Sequence, residues 1–218
     1  TDWLAERLQP GQKLGIDAML HTVREVRRLE EICESAGATL VKLNDNPVDS
    51  VWKDRPEPPL GQVSLYPVEL AGRGAKDKIA EIQSALADKK ADACVLTQPD
   101  SIAWLFNIRG PDVSHTPLPL SFATVPVEGR PSLFIDGRKL SNSVRDALAE
   151  LTDLAEPVEF KGGLKALGKA GSKVMIDPAL AGIGIADAIT DAGGTLIEAQ
   201  DPVLLPKAVK NETELQGA

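Results

Sequence analysis

Lys13-Leu14-Gly15-Ile16-Asp17 returns near the other end of the chain as Lys173-Val174-Met175-Ile176-Asp177, and the stretches that follow the two copies also match. Glu34-Ser35-Ala36-Gly37-Ala38-Thr39-Leu40-Val41 after the first has its counterpart in Asp191-Ala192-Gly193-Gly194-Thr195-Leu196-Ile197 after the second. Short aliphatic runs read as strands, apolar residues at helical spacing as a helix face, and glycine as the stop between them. Between the first pair of runs, Val23, Val26, Leu29, Ile32 and Cys33 mark one face of a helix ending at Gly37. Each copy is thus predicted to be strand, helix, glycine turn, strand. Any two βαβ units share this rhythm, but here order and lengths agree across a whole unit, which predicts a duplicated α/β fold.

The copies are not equally equipped. Only residues 1–12 precede the first, whereas a whole series precedes the second. That series reads as a helix over 75–89, a strand over 93–97, a short helix opened by Pro99-Asp100-Ser101 and an irregular stretch over 107–119. Strands over 120–126 and 132–136 follow, joined by a hairpin at Val127-Glu128-Gly129-Arg130, then a helix over 141–151, a weak strand over 157–160 and a glycine-interrupted helix over 164–168. The first copy is expected to be a remnant with part of its apolar face uncovered or paired with another chain. From 44 to 74, prolines at 47, 56, 58, 59 and 67 predict an extended connection without regular helix. Residues 201–210 read as an extended approach, and Asn211-Glu212-Thr213-Glu214-Leu215 as a capped helix start, one turn before the sequence stops. The expected layout is 1–60 as the C-terminal part of a first domain, 61–74 as a linker, 75–210 as a complete second domain, and 211–218 as the start of a helix belonging to a further domain.

Acidic residues outnumber basic ones by 32 to 24, which argues against nucleic acid as a partner. No apolar run is long enough for a membrane helix, and the start has no signal-peptide pattern. Cys33 and Cys94 lie within apolar patterns and read as reduced, buried thiols, which points to the cytoplasm. The two histidines, His21 and His115, stand in no zinc motif. Gly182-Ile183-Gly184 lacks the third glycine of a dinucleotide loop, having Asp187 there, and Asp45 and Asp49 lack calcium-loop spacing. No catalytic residue, metal ligand or cofactor is assigned, so the chain is expected to do no chemistry by itself.

The densest polar constellation runs from Asn107 to Pro117 and holds Arg109, Asp112 and His115, after the apolar anchor Trp104-Leu105-Phe106. Such a loop can hold a carboxylate or orient a carbonyl. Equally, Arg109 and Asp112 can pair with each other or cap backbone, with His115 filling a half-buried gap. Trp52-Lys53-Asp54-Arg55-Pro56 is the second cluster: Trp52 as buried anchor and Arg55 as carboxylate fork at a domain junction or subunit surface, or a Trp packing a linker onto its domain.

At these residues the sequence resembles the aminopeptidase P (Xaa-Pro aminopeptidase) family in its three-domain form. The motifs are Val51-Trp52-Lys53-Asp54-Arg55-Pro56, Ile102 to Gly110 with Asp112-Val113 and His115, Leu133-Phe134-Ile135-Asp136, and Lys207-Ala208-Val209-Lys210-Asn211. Lys53, where the family usually has Thr, is a minor departure. The resemblance implies an α/β fold of the creatinase/prolidase N-terminal type, one complete copy preceded by a remnant. It implies a parent enzyme, a homodimer, that cleaves the N-terminal Xaa-Pro bond of peptides with proline second. Two divalent metals, often manganese, would sit in a C-terminal domain whose ligands map onto no residue here. The loop with Arg109, Asp112 and His115 would then edge the substrate cleft. A free-standing peptide-binding or interaction module without activity is the competing reading.

Overall fold

In a computed structural model, which describes residues 2–217, the chain divides into two compact units. The first comprises the chain up to Pro58 together with Pro178–Asp187, and the second comprises Pro59–Asp177 with the chain from Ala188 onward.

The first unit opens with α1 (Asp2–Arg7), β1 (Lys13–Asp17), α2 (Val23–Ser35), β2 (Thr39–Leu43) and α3 (Pro47–Val51). β1 and β2 pair in parallel, Lys13 opposite Thr39 through Asp17 opposite Leu43. A parallel pair needs a crossover, and α2 supplies it. Its start is fixed by a capping box: the Thr22 hydroxyl accepts from Glu25 N, and the Glu25 carboxylate accepts from Thr22 N at 2.8 Å. Val23, Val26 and Cys33 bury its inner face, while Leu29 and Ile32 lie nearer the edge of the stripe.

The turns that follow the two matched strands pair with each other inside this unit. Val23 N donates to Ala181 O at 3.0 Å and Ile183 N to His21 O at 2.9 Å. Arg24 N donates to Pro178 O and Gly184 N to Ala18 O, each at 2.8 Å. Aligning Asp17 with Asp177 makes these bonds two exchanged pairs, a local two-fold between the repeats. The arrangement also accounts for the Gly-Ile-Gly run. A Cβ on Gly182 would stand 2.9 Å from the Met19 carbonyl oxygen, so glycine is needed for backbone to approach backbone.

The second unit continues with β3 (Ser64–Leu65), α4 (Val68–Ala71), α5 (Ala75–Asp88), β4 (Ala93–Leu96), α6 (Pro99–Leu105), β5 (Ile108–Arg109), β6 (Phe122–Pro126) and β7 (Ser132–Phe134). After them come α7 (Asn142–Ala149), β8 (Asp153–Ala155), α8 (Phe160–Lys169) and β9 (Lys173–Ile176). Then follow α9 (Ile183–Thr190), which begins in the first unit, β10 (Thr195–Glu198), α10 (Leu204–Ala208) and α11 (Glu212–Gln216). Six strands form a mixed sheet in the order β10-β9-β4-β6-β7-β8. β10, β9 and β4 are parallel, β6 and β7 form the antiparallel hairpin, and β8 lies parallel to β7. Lys173 faces Thr195, the register that Lys13 and Thr39 have in the first unit. One hydrophobic core holds Ile82 and Leu86 of α5, Cys94 and Leu96 of β4, Leu105 of α6, Val125 of β6 and Leu133 of β7, all essentially without exposure.

Three sequence expectations are corrected. The 44–74 stretch contains two short helices, because Pro47 takes the first position of α3, where an N–H has no intrahelical partner, and Pro67 caps α4. Its later part carries β3 and α4. Residues 157–160 are not a strand: Pro157–Glu159 form a 3-10 turn that leads into α8, and the edge strand is β8. Residues 201–210 are not extended throughout, since α10 accommodates Pro206 in its first turn.

The interrupting glycine of α8 has a packing reason. A Cβ on Gly168 would lie 2.4 Å from the Ile189 carbonyl oxygen and 2.6 Å from Ala192 Cβ, where α8 meets α9. Gly168→Ala is therefore expected to destabilise the second unit by about 1–3 kcal/mol despite alanine's better helix propensity. A urea midpoint equal to or above that of the unsubstituted chain would contradict this close approach.

Candidate functional site: a cleft at the Arg109 loop

The loop after α6 is held from beneath by a buried amine. Lys78, 1% exposed, projects from the apolar stripe Ala75, Ile79, Ile82 and Leu86 of α5. Its Nζ donates to Trp104 O at 3.0 Å and to Asn107 Oδ1 at 2.7 Å, and lies 4.1 Å from the centre of the Trp104 ring. Asn107 adopts a left-handed backbone, φ 51°, a conformation asparagine tolerates better than most residues. It is locked there by Nδ2 donating to Arg73 O at 2.8 Å and by its carbonyl accepting from Tyr66 N at 2.7 Å.

The chain reverses at Asn107 into β5, which pairs antiparallel with β3, Arg109 opposite Ser64. Burial lowers the Lys78 pKa from its ordinary value to about 8, opposed in part by the charge of Glu214 and reinforced by Arg109, Arg73 and Lys210. An unfolded lysine keeps its proton to about pH 10.4. Between those limits the unfolded chain binds more protons than the folded one, so Lys78 makes stability rise with pH from about 8 upward. Urea midpoints taken across that window should climb, and the Lys78 share of the climb should vanish in Lys78→Met.

Arg109 lies with its guanidinium carbon 4.0 Å from the centre of the Tyr66 ring. Its Nη1 donates to Ile108 O at 2.8 Å and Ala103 O at 3.4 Å. Asp112 turns the other way. Its side chain is fully buried and its Oδ2 is 2.6 Å from Lys139 Nζ, whose own side chain is 6% exposed. The same carboxylate accepts from Leu120 N at 2.8 Å and Gly61 N at 3.3 Å. Three separate segments are thereby fastened to one acid. Beyond it, Val113 to Thr116 closes a tight turn, Thr116 N donating to Val113 O at 3.1 Å, with His115 in left-handed backbone at φ 60°. Arg109, the turn, and Gln62 and Ser64 from the facing segment line a cleft of about 480 Å³.

These positions decide between the alternatives that the loop's composition leaves open. Arg109 does cap backbone, but it does not pair with Asp112, whose partner is Lys139. His115 fills no half-buried gap: it is exposed at the rim. Arg109 and His115 both line the cleft, whereas the Asp112 carboxylate is withdrawn from it. Trp52 is 47% exposed, and Arg55 lies 5.9 Å from its ring centre and pairs with Asp49. Cys33 and Cys94 are buried free thiols, and burial raises both pKa values. Sequence reasoning missed Lys78, Lys139 and Tyr66. For Lys78 a signal existed, a cation four residues before Ile82 on an otherwise apolar stripe. Nothing local distinguished Lys139. Among the described residues no three His, Cys, Asp or Glu side chains gather where they could hold a metal ion. No described helix is long and apolar enough to cross a membrane.

A six-stranded mixed sheet flanked by helices, with a loop cleft beside it, defines an α/β domain of the creatinase/prolidase N-terminal class. The Creatinase/Prolidase N-terminal domain family matches residues 54–214, and the chain belongs to that family. Among curated proteins it is similar to a probable Xaa-Pro aminopeptidase P of Arthroderma gypseum, 32% identical over 99% of this chain and 35% of that protein. A probable Xaa-Pro aminopeptidase P of Paracoccidioides brasiliensis is 33% identical over 99% of this chain and 37% of the relative. The chain thus spans about a third of the length of the curated relatives it matches. Among solved structures it resembles the X-prolyl aminopeptidase of Caenorhabditis elegans, described as a cytosolic enzyme with a di-nuclear active site. The TM-score is 0.89 at 29% identity, covering 99% of this chain and 36% of that one.

Proposed function

We propose that this chain is the non-catalytic N-terminal region of a Xaa-Pro aminopeptidase, an enzyme that hydrolyses the bond between an N-terminal residue and a following proline. The observation that carries the reading is likeness along 99% of the chain, in sequence and in fold, to proteins named for that activity. Under this reading the bond is cleaved at a dinuclear metal centre, with manganese as the proposed ion, in a C-terminal domain outside these residues. The described residues offer no ligand set for such a centre, so no step of the chemistry is assigned to them. Their part is to shape one edge of the substrate cleft, with Arg109 and His115 at its surface and Asp112 holding the loop. Residues 1–60 would be part of a first domain, 75–210 a second, and 211–218 the entry to the catalytic one. Trp52 and Arg55 would serve at a domain junction or in a homodimer, and the enzyme would act in the cytoplasm.

The test compares this chain with the product of its whole reading frame, each supplied with manganese and a Xaa-Pro tripeptide. Release of the first residue by the whole product and none by the 218-residue chain is expected. Turnover by the chain alone would overturn the non-catalytic assignment. Peptide capture by the whole product without hydrolysis would select a second reading, a binding module, which the Arg109 cleft favours.

A further inference from the structure

The side of Arg109 that faces away from its backbone partners is unspent. Nη1 uses its two hydrogens on Ile108 O and Ala103 O, which leaves the Nε and Nη2 edge with no protein acceptor among the described residues. That edge is the flat fork of donors that matches a carboxylate. The guanidinium is half-buried and stacked on Tyr66, and burial lowers its pKa, so its charge is poorly solvated. Among the described residues no carboxylate forms an ion pair with it: Asp112 is tied to Lys139, and Glu214 acts on Arg109 only at longer range. The polar lining is otherwise uncharged or basic, consisting of Gln62, Ser64, Ser114, His115 and Thr116. A volume of about 480 Å³ suits a short peptide rather than a bare ion.

We infer that Arg109 anchors the free C-terminal carboxylate of a short peptide lying in this cleft. The nature of the peptide, one with proline second, rests on the reading of the chain as part of a Xaa-Pro aminopeptidase. The carboxylate anchor itself rests on the geometry. The Nε and Nη2 edge would donate two parallel hydrogen bonds to the two carboxylate oxygens, with the Ser64 and Ser114 hydroxyls within the same cleft to bind the preceding peptide group. The protein would then discriminate short peptides with a free C-terminus from amidated ones and from sites within long chains.

Tyr66 is the single tyrosine of the sequence and touches the Arg109 guanidinium, so a tyrosine-labelled chain gives one ring signal that reports on this site. Titrating the 218-residue chain with Ala-Pro-Ala should move that signal saturably. Ala-Pro-Ala amide should bind roughly tenfold or more weakly, the cost of losing a charge-assisted pair. Arg109→Gln should bring the two affinities together. Equal affinity of the unsubstituted chain for acid and amide, or no movement of the Tyr66 signal, overturns the inference even if the variant fails to fold. Equal displacement by inorganic phosphate also overturns it, by making the site a general anion site. Hydrolysis by the whole reading-frame product without acid-over-amide preference in the chain would sink this inference alone. Preference in the chain without hydrolysis by the whole product would sink the aminopeptidase reading and leave the anchor standing.

Discussion

Asp112→Ala is expected to cost the second unit about 3–5 kcal/mol. The reason is not the attraction lost but the charge left behind. Lys139 Nζ, 2.6 Å from Asp112 Oδ2, would remain almost wholly buried with, among the described residues, only the Leu120 carbonyl oxygen at 3.4 Å to receive it. The amides of Gly61 and Leu120 would lose their acceptor at the same time. Removing both charges should be far milder, because a buried pair recovers little beyond its own desolvation. Asp112→Leu combined with Lys139→Met is therefore expected to recover a large part of the loss, short of the two orphaned amides. Urea unfolding followed by far-ultraviolet dichroism measures both variants. A double variant as unstable as Asp112→Ala would show that the carboxylate matters only as an amide acceptor. The turn bearing His115 should loosen in both, since the acid that fastens its base is gone.

Phe160→Ala is expected to cost about 3–5 kcal/mol. Phe160 opens α8, is 4% exposed, stacks on Phe122 with ring centres 4.3 Å apart at 6°, and meets Phe134 edge-on at 5.2 Å and 63°. Aromatic pairs in these geometries add to area burial, and three of the chain's four phenylalanines meet here. Truncation would leave a cavity between α8 and the strands β6 and β7. Phe160→Leu, which fills part of that space, should lose much less. Similar losses for the two substitutions would mean that helix entry rather than ring packing sets the cost. The comparison is read from urea midpoints at constant slope.

The repeated strands show how far local pattern reaches. Lys13 to Asp17 and Lys173 to Asp177 were legible as strands, and the glycine turns as the ends of their crossover helices, because these are short-range effects of side-chain alternation and backbone freedom. A proline stands at each of three places where that reading failed. Pro47, Pro157 and Pro206 each fall at the start of a helical turn, where a missing N–H costs nothing. The Arg109 loop was visible as a cluster, yet its pairing was not. Asp112 is three residues from Arg109 but bonds Lys139, because the pairing of β3 with β5 turns Arg109 toward Tyr66.

By itself the sequence determined the α/β class, the internal repeat, the capped helix start at Asn211 and the place of the polar loop, each a matter of residues within a turn or two of one another. Only the tertiary structure decided which acid meets which base. It put Lys78 beneath Asn107 and Lys139 against Asp112, and it gave one edge of Arg109 no acceptor among the described residues. Those partners lie from 27 to 29 residues apart along the chain. A buried charge takes whichever partner the packing of distant segments brings within reach, and no local spacing encodes that choice.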